Sequence, residues 1–206
     1  MYTLTVMKRF AIHPDNPQNR YIKAAAEALE TGRLIVYPTD SVYGLGCDLL
    51  NKNAIEKIYQ RKGHDKRKLL SFICPDLKEI SEYAYVPDFA YKVMRRLLPG
   101  PYTFILNATK RVPRILLEKR KTVGIRVPDN AVCQALLAEF GRPVISTSAR
   151  LSEQSFLGDP DEIAETFEHI AEVFLDSGPG GFELSTVIDF TGDEPVVTRQ
   201  GKGKLP

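Results

Sequence analysis

The residues able to do chemistry fall in five short stretches, four carrying hydroxyls and one basic. The first is Pro38-Thr39-Asp40-Ser41-Val42-Tyr43-Gly44-Leu45-Gly46, and the second is Lys62-Gly63-His64 with Lys66, Arg67 and Lys68. In Lys121-Thr122-Val123-Gly124-Ile125-Arg126-Val127-Pro128, the period of a strand puts Thr122, Gly124 and Arg126 on one face. The same rule groups Ser146, Ser148 and Arg150 in Ser146-Thr147-Ser148-Ala149-Arg150. The fifth stretch is Ser185-Thr186-Val187-Ile188-Asp189, followed later by Arg199. Hydroxyls hydrogen-bond small polar ligands, while Lys and Arg neutralise phosphate and carboxylate; together these stretches describe a small-molecule site for anions. Ordinary turns and strand edges use the same residue types, and the residues alone leave both readings open.

Other catalytic constellations are missing. The chain has no GxSxG elbow, no GxxxxGK[ST] phosphate loop, no GxGxxG and no HExxH. His13, His64 and His169 are scattered and read as surface or capping residues. Gly44-Leu45-Gly46 serves a bend as readily as a phosphate. Nothing here supports a covalent hydrolase or a dehydrogenase. Cys47, Cys74 and Cys133 are odd in number and far apart, which argues against a disulfide framework or a zinc site and for reduced, packed thiols.

The 206 residues carry 28 Lys plus Arg against 26 Asp plus Glu, and these charges are segregated. Arg61 to Lys68 and Lys110 to Arg126 are basic with one carboxylate each, and Arg199, Lys202 and Lys204 add a third basic segment. Glu153 to Asp176 holds eight carboxylates and no Lys or Arg. Converging basic segments would form a positive concavity for phosphate or an RNA backbone; separate ones would be solvated loops or helix faces.

The elements that must position these groups read as one domain over residues 1–206, without repeats or a linker. Apolar runs such as Leu34 to Tyr37 fall far short of the ~18 residues that span a bilayer, and Met1 to Arg9 lacks the pattern of a secretory signal. A cytoplasmic protein is expected. Helices are predicted over 17–30, from the cap Asn51 through Arg61, over 89–98, over 131–140, and over the acidic stretch 159–171. Strands are predicted over 33–37, 69–74, 102–106, 123–127, 144–147, 185–190 and 196–199. Early alternation of helix and strand, with strands paired through turns late, gives an α/β fold with a mixed sheet and helices packed on it.

The order of the motifs carries a resemblance. Pro38 to Gly46, Lys62-Gly63, Pro99-Gly100-Pro101-Tyr102-Thr103, Val123 to Pro128, Ser146-Thr147-Ser148-Ala149, Ser185 to Asp189 and Arg199 together resemble the YrdC-like family of threonylcarbamoyl-AMP synthases. His13-Pro14-Asp15-Asn16-Pro17, Tyr102 to Leu106 and Lys119 to Thr122 look closest to its YciO branch. The resemblance implies a twisted open sheet with a basic concave face. It also implies a reaction, in which L-threonine, bicarbonate and ATP give threonylcarbamoyl-AMP and pyrophosphate for modification of a tRNA adenosine. Carried over by position, Thr39, Arg126, Ser146 and Ser185 would bind threonine, while Lys62, Lys66, Thr122, Ser148 and Arg199 would hold ATP. Lys62 and Arg126 would be the catalytic pair, with magnesium bridging phosphates and no metal ligand from the chain.

Two positions depart from the family pattern. Synthases carry Lys-x-Arg where this chain has Lys62-Gly63-His64, and Ser-x-Asn where it has Ser148-Ala149-Arg150. A permanent cation becomes a group mostly neutral at pH 7, and a small amide becomes a long guanidinium. Activity altered at these positions is one expectation; a non-catalytic module binding double-stranded RNA or tRNA is the alternative, and an ATP-dependent carboxylating enzyme acting on another amine is a third. The end at Pro206 leads us to expect neither the extra C-terminal domain nor the linker of longer family members.

Overall fold

The computed structural model describes residues 6–62, 70–117, 121–150 and 158–205. The chain opens with β1 (Lys8–Ala11) and α1 (Asn19–Glu30), whose Ile22, Ala25, Ala26 and Leu29 bury one stripe. β2 (Ile35–Tyr37) and β3 (Gly44–Asp48) lead into α2 (Lys52–Arg61), which starts where Asn51 accepts the Ala54 N–H. β4 (Ser71–Ile73), α3 (Leu77–Tyr83), β5 (Ala84–Tyr85), α4 (Asp88–Leu97) and β6 (Tyr102–Ala108) follow. Next come α5 (Arg114–Leu117), β7 (Thr122–Arg126) and α6 (Ala131–Phe140). Asn130 caps the start of α6, and Gly141 ends it at a φ of 72°, the left-handed turn that favours glycine. The chain closes with β8 (Val144–Ser148), α7 (Pro160–Phe167), β9 (Val173–Asp176), β10 (Thr186–Asp189) and β11 (Val196–Arg199).

Among the described residues, eleven strands form one sheet in the order β1-β9-β2-β3-β8-β4-β7-β6-β10-β11, with β5 beside β6. The β1–β9, β9–β2, β4–β7 and β6–β10 pairs are parallel and the others antiparallel, so the expected mixed α/β sheet is what forms. Alternate residues feed two cores. Leu45, Phe72, Ile125 and Ile145 face the side packed by α2, α4 and α7, through residues such as Ile58, Met94 and Phe167. Ile35, Tyr37, Ile73 and Val144 face α1 and α6, through Leu29 and Leu136.

β1, α3, β5 and α5 form where no element is predicted, and β9, α7 and β3 differ from the expectation for reasons that packing supplies. β9 is an inner strand held between β1 and β2, although it follows an acidic stretch that reads as one long helix. That helix stops at Phe167, because the Glu172 N–H must already pair with the Leu34 carbonyl at the sheet. β3 uses the Gly44-Leu45-Gly46 stretch as strand, not bend. The Tyr37 ring lies across both glycines; a Cβ on Gly46 would come within 2.8 Å of it, so the strand needs bare backbone there.

Candidate anion-binding site

Strand register builds the floor of the site. Gly46 pairs with Ser146, Ser146 with Ser71, and Ser71 with Gly124, which places small and hydroxyl residues in one row across β3, β8, β4 and β7. This row lies on the face that α1 and α6 cover nearer β2, as the neighbouring Ile73 and Val144 show. A cavity of about 460 Å³ opens there, lined by Lys62, Arg126, Arg150 and Arg199 together with Ser71, Thr103, Ser146, Ser148 and Ser185. Among the described residues that line it there is no carboxylate. One cation comes from each of the three basic segments, so residues far apart in sequence serve one cavity.

Arg126 ends β7 and is only 9% exposed. Its Nη2 donates to Asp40 Oδ1 at 2.6 Å and to Ser41 Oγ at 3.0 Å, while its Nε is buried without a hydrogen-bond partner. A buried guanidinium donor left open costs stability unless a ligand takes it, so this atom points to an acceptor that binds. Arg199 leaves β11 and donates through Nε and Nη2 to the Ser185 carbonyl at 3.1 and 2.9 Å, and through Nη2 to Ser185 Oγ at 3.1 Å. Ser185 Oγ also meets Thr103 Oγ1 at 2.7 Å. The Arg199 pKa is lowered, first by desolvation and then by repulsion from Arg126 and Arg150. Cations that repel one another are a poor way to stabilise a fold and a good way to hold an anion.

Tyr37, 1% exposed, donates its hydroxyl to Ser146 Oγ at 2.6 Å. Burial raises the Tyr37 pKa, so it stays a neutral donor and leaves the Ser146 proton to be given to something else. Lys62, just past the end of α2, donates to the carbonyls of Ser148 and Arg150, each at 2.9 Å, and lies 3.4 Å from Ser148 Oγ. It ties the mouth of β8 to α2 and carries its charge into the cavity wall.

Of the residues singled out in sequence, Lys62, Arg126, Ser146, Ser148, Ser185 and Arg199 line this cavity, and Arg150 joins them. Thr39 does not line it: its hydroxyl donates to the Val42 carbonyl at 2.7 Å and accepts the Ser41 N–H at 3.1 Å, so it shapes the loop. Thr122 sits opposite Asn107 at the far end of β7, four residues or ~13 Å from Arg126, and does not line the cavity either. Lys66 and His64 lie outside the described residues. Ser71, Thr103 and Asp40 have no role among the sequence expectations. Thr103 has a signal, since it shares a strand face with Ile105 and alternates with Tyr102 and Phe104; Asp40 has none beyond its place in the first motif.

The family model Sua5_yciO_yrdC, described as "Telomere recombination", matches residues 27–201. The chain belongs to the Sua5/YciO/YrdC family. It is 47% identical over 198 residues to the uncharacterized protein YciO of Escherichia coli, covering 95% of this chain and 96% of that one. The crystal structure of E. coli YciO superposes with a TM-score of 0.92, covering 96% of this chain and 97% of that one. A threonylcarbamoyl-AMP synthase of Pyrococcus abyssi is 32% identical over 182 residues, which are 87% of this chain and 54% of the relative. P. abyssi Sua5 complexed with L-threonine, 30% identical, superposes with a TM-score of 0.85 over 97% of this chain and 58% of that one. Among the described residues no helix is long and apolar enough to cross a membrane, and no three His, Cys, Asp or Glu side chains gather as a metal site.

Proposed function

We propose that the chain is a nucleotide-using enzyme of the threonylcarbamoyl-AMP synthase type, joining L-threonine, bicarbonate and ATP into threonylcarbamoyl-AMP and pyrophosphate, with a tRNA adenosine as final acceptor. The observation that carries this reading is the cavity in which Arg126, with its buried open Nε, faces the same space as Lys62 and Arg199. Support also comes from the synthase names of relatives and from the Sua5 structure with L-threonine. In this reading Arg126 clamps the threonine carboxylate, and the hydroxyls of Ser146 and Ser185 hold the polar groups around it. Lys62 and Arg199 offset the phosphate charge. An oxygen of N-carboxy-threonine attacks the α-phosphorus, the bond to the bridging α,β-oxygen breaks, and the electron pair leaves with pyrophosphate. No side chain forms a covalent bond; the residues align two anions and neutralise developing charge.

The described lining residues offer no carboxylate to a magnesium ion, and in this reading the ion arrives on the nucleotide's own phosphates. Arg150 adds a cation where synthases have a small amide, and would tune or redirect the reaction rather than abolish anion binding. A reaction drawing on ATP and tRNA belongs in the cytoplasm. The test is pyrophosphate release with ATP, bicarbonate and each amino acid in turn. Release that requires threonine and bicarbonate, and falls at least ~100-fold in Lys62→Ala, is the expected result. No release by folded protein that still binds double-stranded RNA or tRNA would move the function to the RNA-binding module.

A further inference from the structure

Asp40 is a carboxylate paired with one of the cations that line the cavity, Arg126, and it is not itself a lining residue. Its side chain is 7% exposed. Oδ1 accepts from Arg126 Nη2 at 2.6 Å, and Oδ2 accepts the Asp129 N–H at 2.9 Å. Its backbone carbonyl accepts from Lys202 Nζ at 2.6 Å, so the C-terminal segment fixes the loop from outside. Ser41, the next residue, supplies the second acceptor for Nη2. Both protons of that nitrogen are therefore committed behind the cavity wall, and the guanidinium can turn only by breaking a buried ion pair.

We propose that Asp40 is a positioning residue that holds Arg126 toward an amino-acid carboxylate and offsets the charge of that guanidinium. The proposal rests on the function proposed above for its threonine arm alone. With the Asp40 carboxylate in place, Arg126 is partly neutralised and oriented, which suits a singly charged carboxylate. Without it, the same guanidinium adds a full charge to a field already shared by Lys62, Arg150 and Arg199, which suits polyphosphate. The residue thus keeps the amino-acid end of the cavity from being taken by a second phosphate group.

The experiment is calorimetric titration of wild type, Asp40→Asn and Asp40→Glu with inorganic pyrophosphate and, separately, with L-threonine. Asp40→Asn is expected to bind pyrophosphate about tenfold tighter and threonine about tenfold weaker. Asp40→Glu, which keeps the charge and shifts the guanidinium, is expected to hold pyrophosphate within about threefold of wild type while threonine weakens. A purely structural role would weaken both ligands in both variants, and that result overturns the proposal, as does wild type that binds no pyrophosphate. If Asp40→Asn does not fold, Asp40→Ser removes the same charge with a smaller side chain and is expected to bind pyrophosphate about tenfold tighter; affinity no tighter than wild type overturns the offset. Wild type that binds pyrophosphate but no threonine refutes the proposed enzyme, and the pyrophosphate results still decide the role of Asp40.

Discussion

Arg199→Gln separates a binding cation from a structural one. Arg199 makes three hydrogen bonds to Ser185, which by themselves argue for a brace between β11 and β10. It also faces Arg126 and Arg150, the two charges that lower its pKa after desolvation has done so. A sphere of the cavity's 460 Å³ is about 10 Å across, and two unit charges that far apart at an effective dielectric constant near 20 repel by about 1.7 kcal/mol. Arg199 is exposed on its outer side, and solvent screening brings each repulsion down to about 1 kcal/mol. Relief from two neighbours is then about 2 kcal/mol, against the ~1–3 kcal/mol that charge-assisted bonds to one serine contribute. The variant should be within about 1 kcal/mol of wild type in urea unfolding. Its affinity for ATP should fall by ~2–3 kcal/mol, which is about 30- to 150-fold, because a phosphate loses a direct cation. Calorimetric titration and denaturation on the same samples read both quantities. Unchanged ATP affinity with a stability loss above about 2 kcal/mol would refute the reasoning and make Arg199 a brace.

Two further expectations concern the frame of the site. A Cβ on Gly181 would overlap the Ser41 carbonyl, so Gly181→Ala should push the 38–43 loop away from Arg126; we expect ~1–3 kcal/mol of lost stability by denaturation together with weaker threonine binding, and wild-type values for both would show that the loop yields freely. Burial raises the thiols of Cys47, Cys74 and Cys133 far above their ordinary value of 9.0, so the folded state keeps them neutral. The unfolded chain loses these protons first, so stability from this source is complete below about pH 9 and falls as pH rises beyond it. Denaturation curves at rising pH check the sign, and native protein at pH 8 should resist thiol labelling that urea permits; rapid labelling of the folded form would show that the thiols are not shut away.

The chain by itself determined the elements that carry their own stop and start signals. Asn51 and Asn130 cap α2 and α6, and Gly141 ends α6, because local hydrogen bonds and backbone freedom need no distant partner. Lys62, Arg126, Ser146, Ser148, Ser185 and Arg199 were legible as candidates through residue type and order in the family motifs. Tertiary structure decided which of these face one cavity, since strand register joins residues that the chain separates: Ser71 meets Ser146 and Gly124, and Asp40 meets Arg126. It also turned Thr39 inward to its own loop and left Thr122 at the other end of β7, neither of which residue type could tell. β9 and β3 were hidden for a related reason. A strand buried on both sides shows no alternation, and a glycine strand shows no β propensity, because each is dictated by what packs on it: β1 and β2 in one case, the Tyr37 ring in the other. Local physics is written along the chain, whereas the field of an anion site is a sum over side chains that only folding brings within a Debye length of one another.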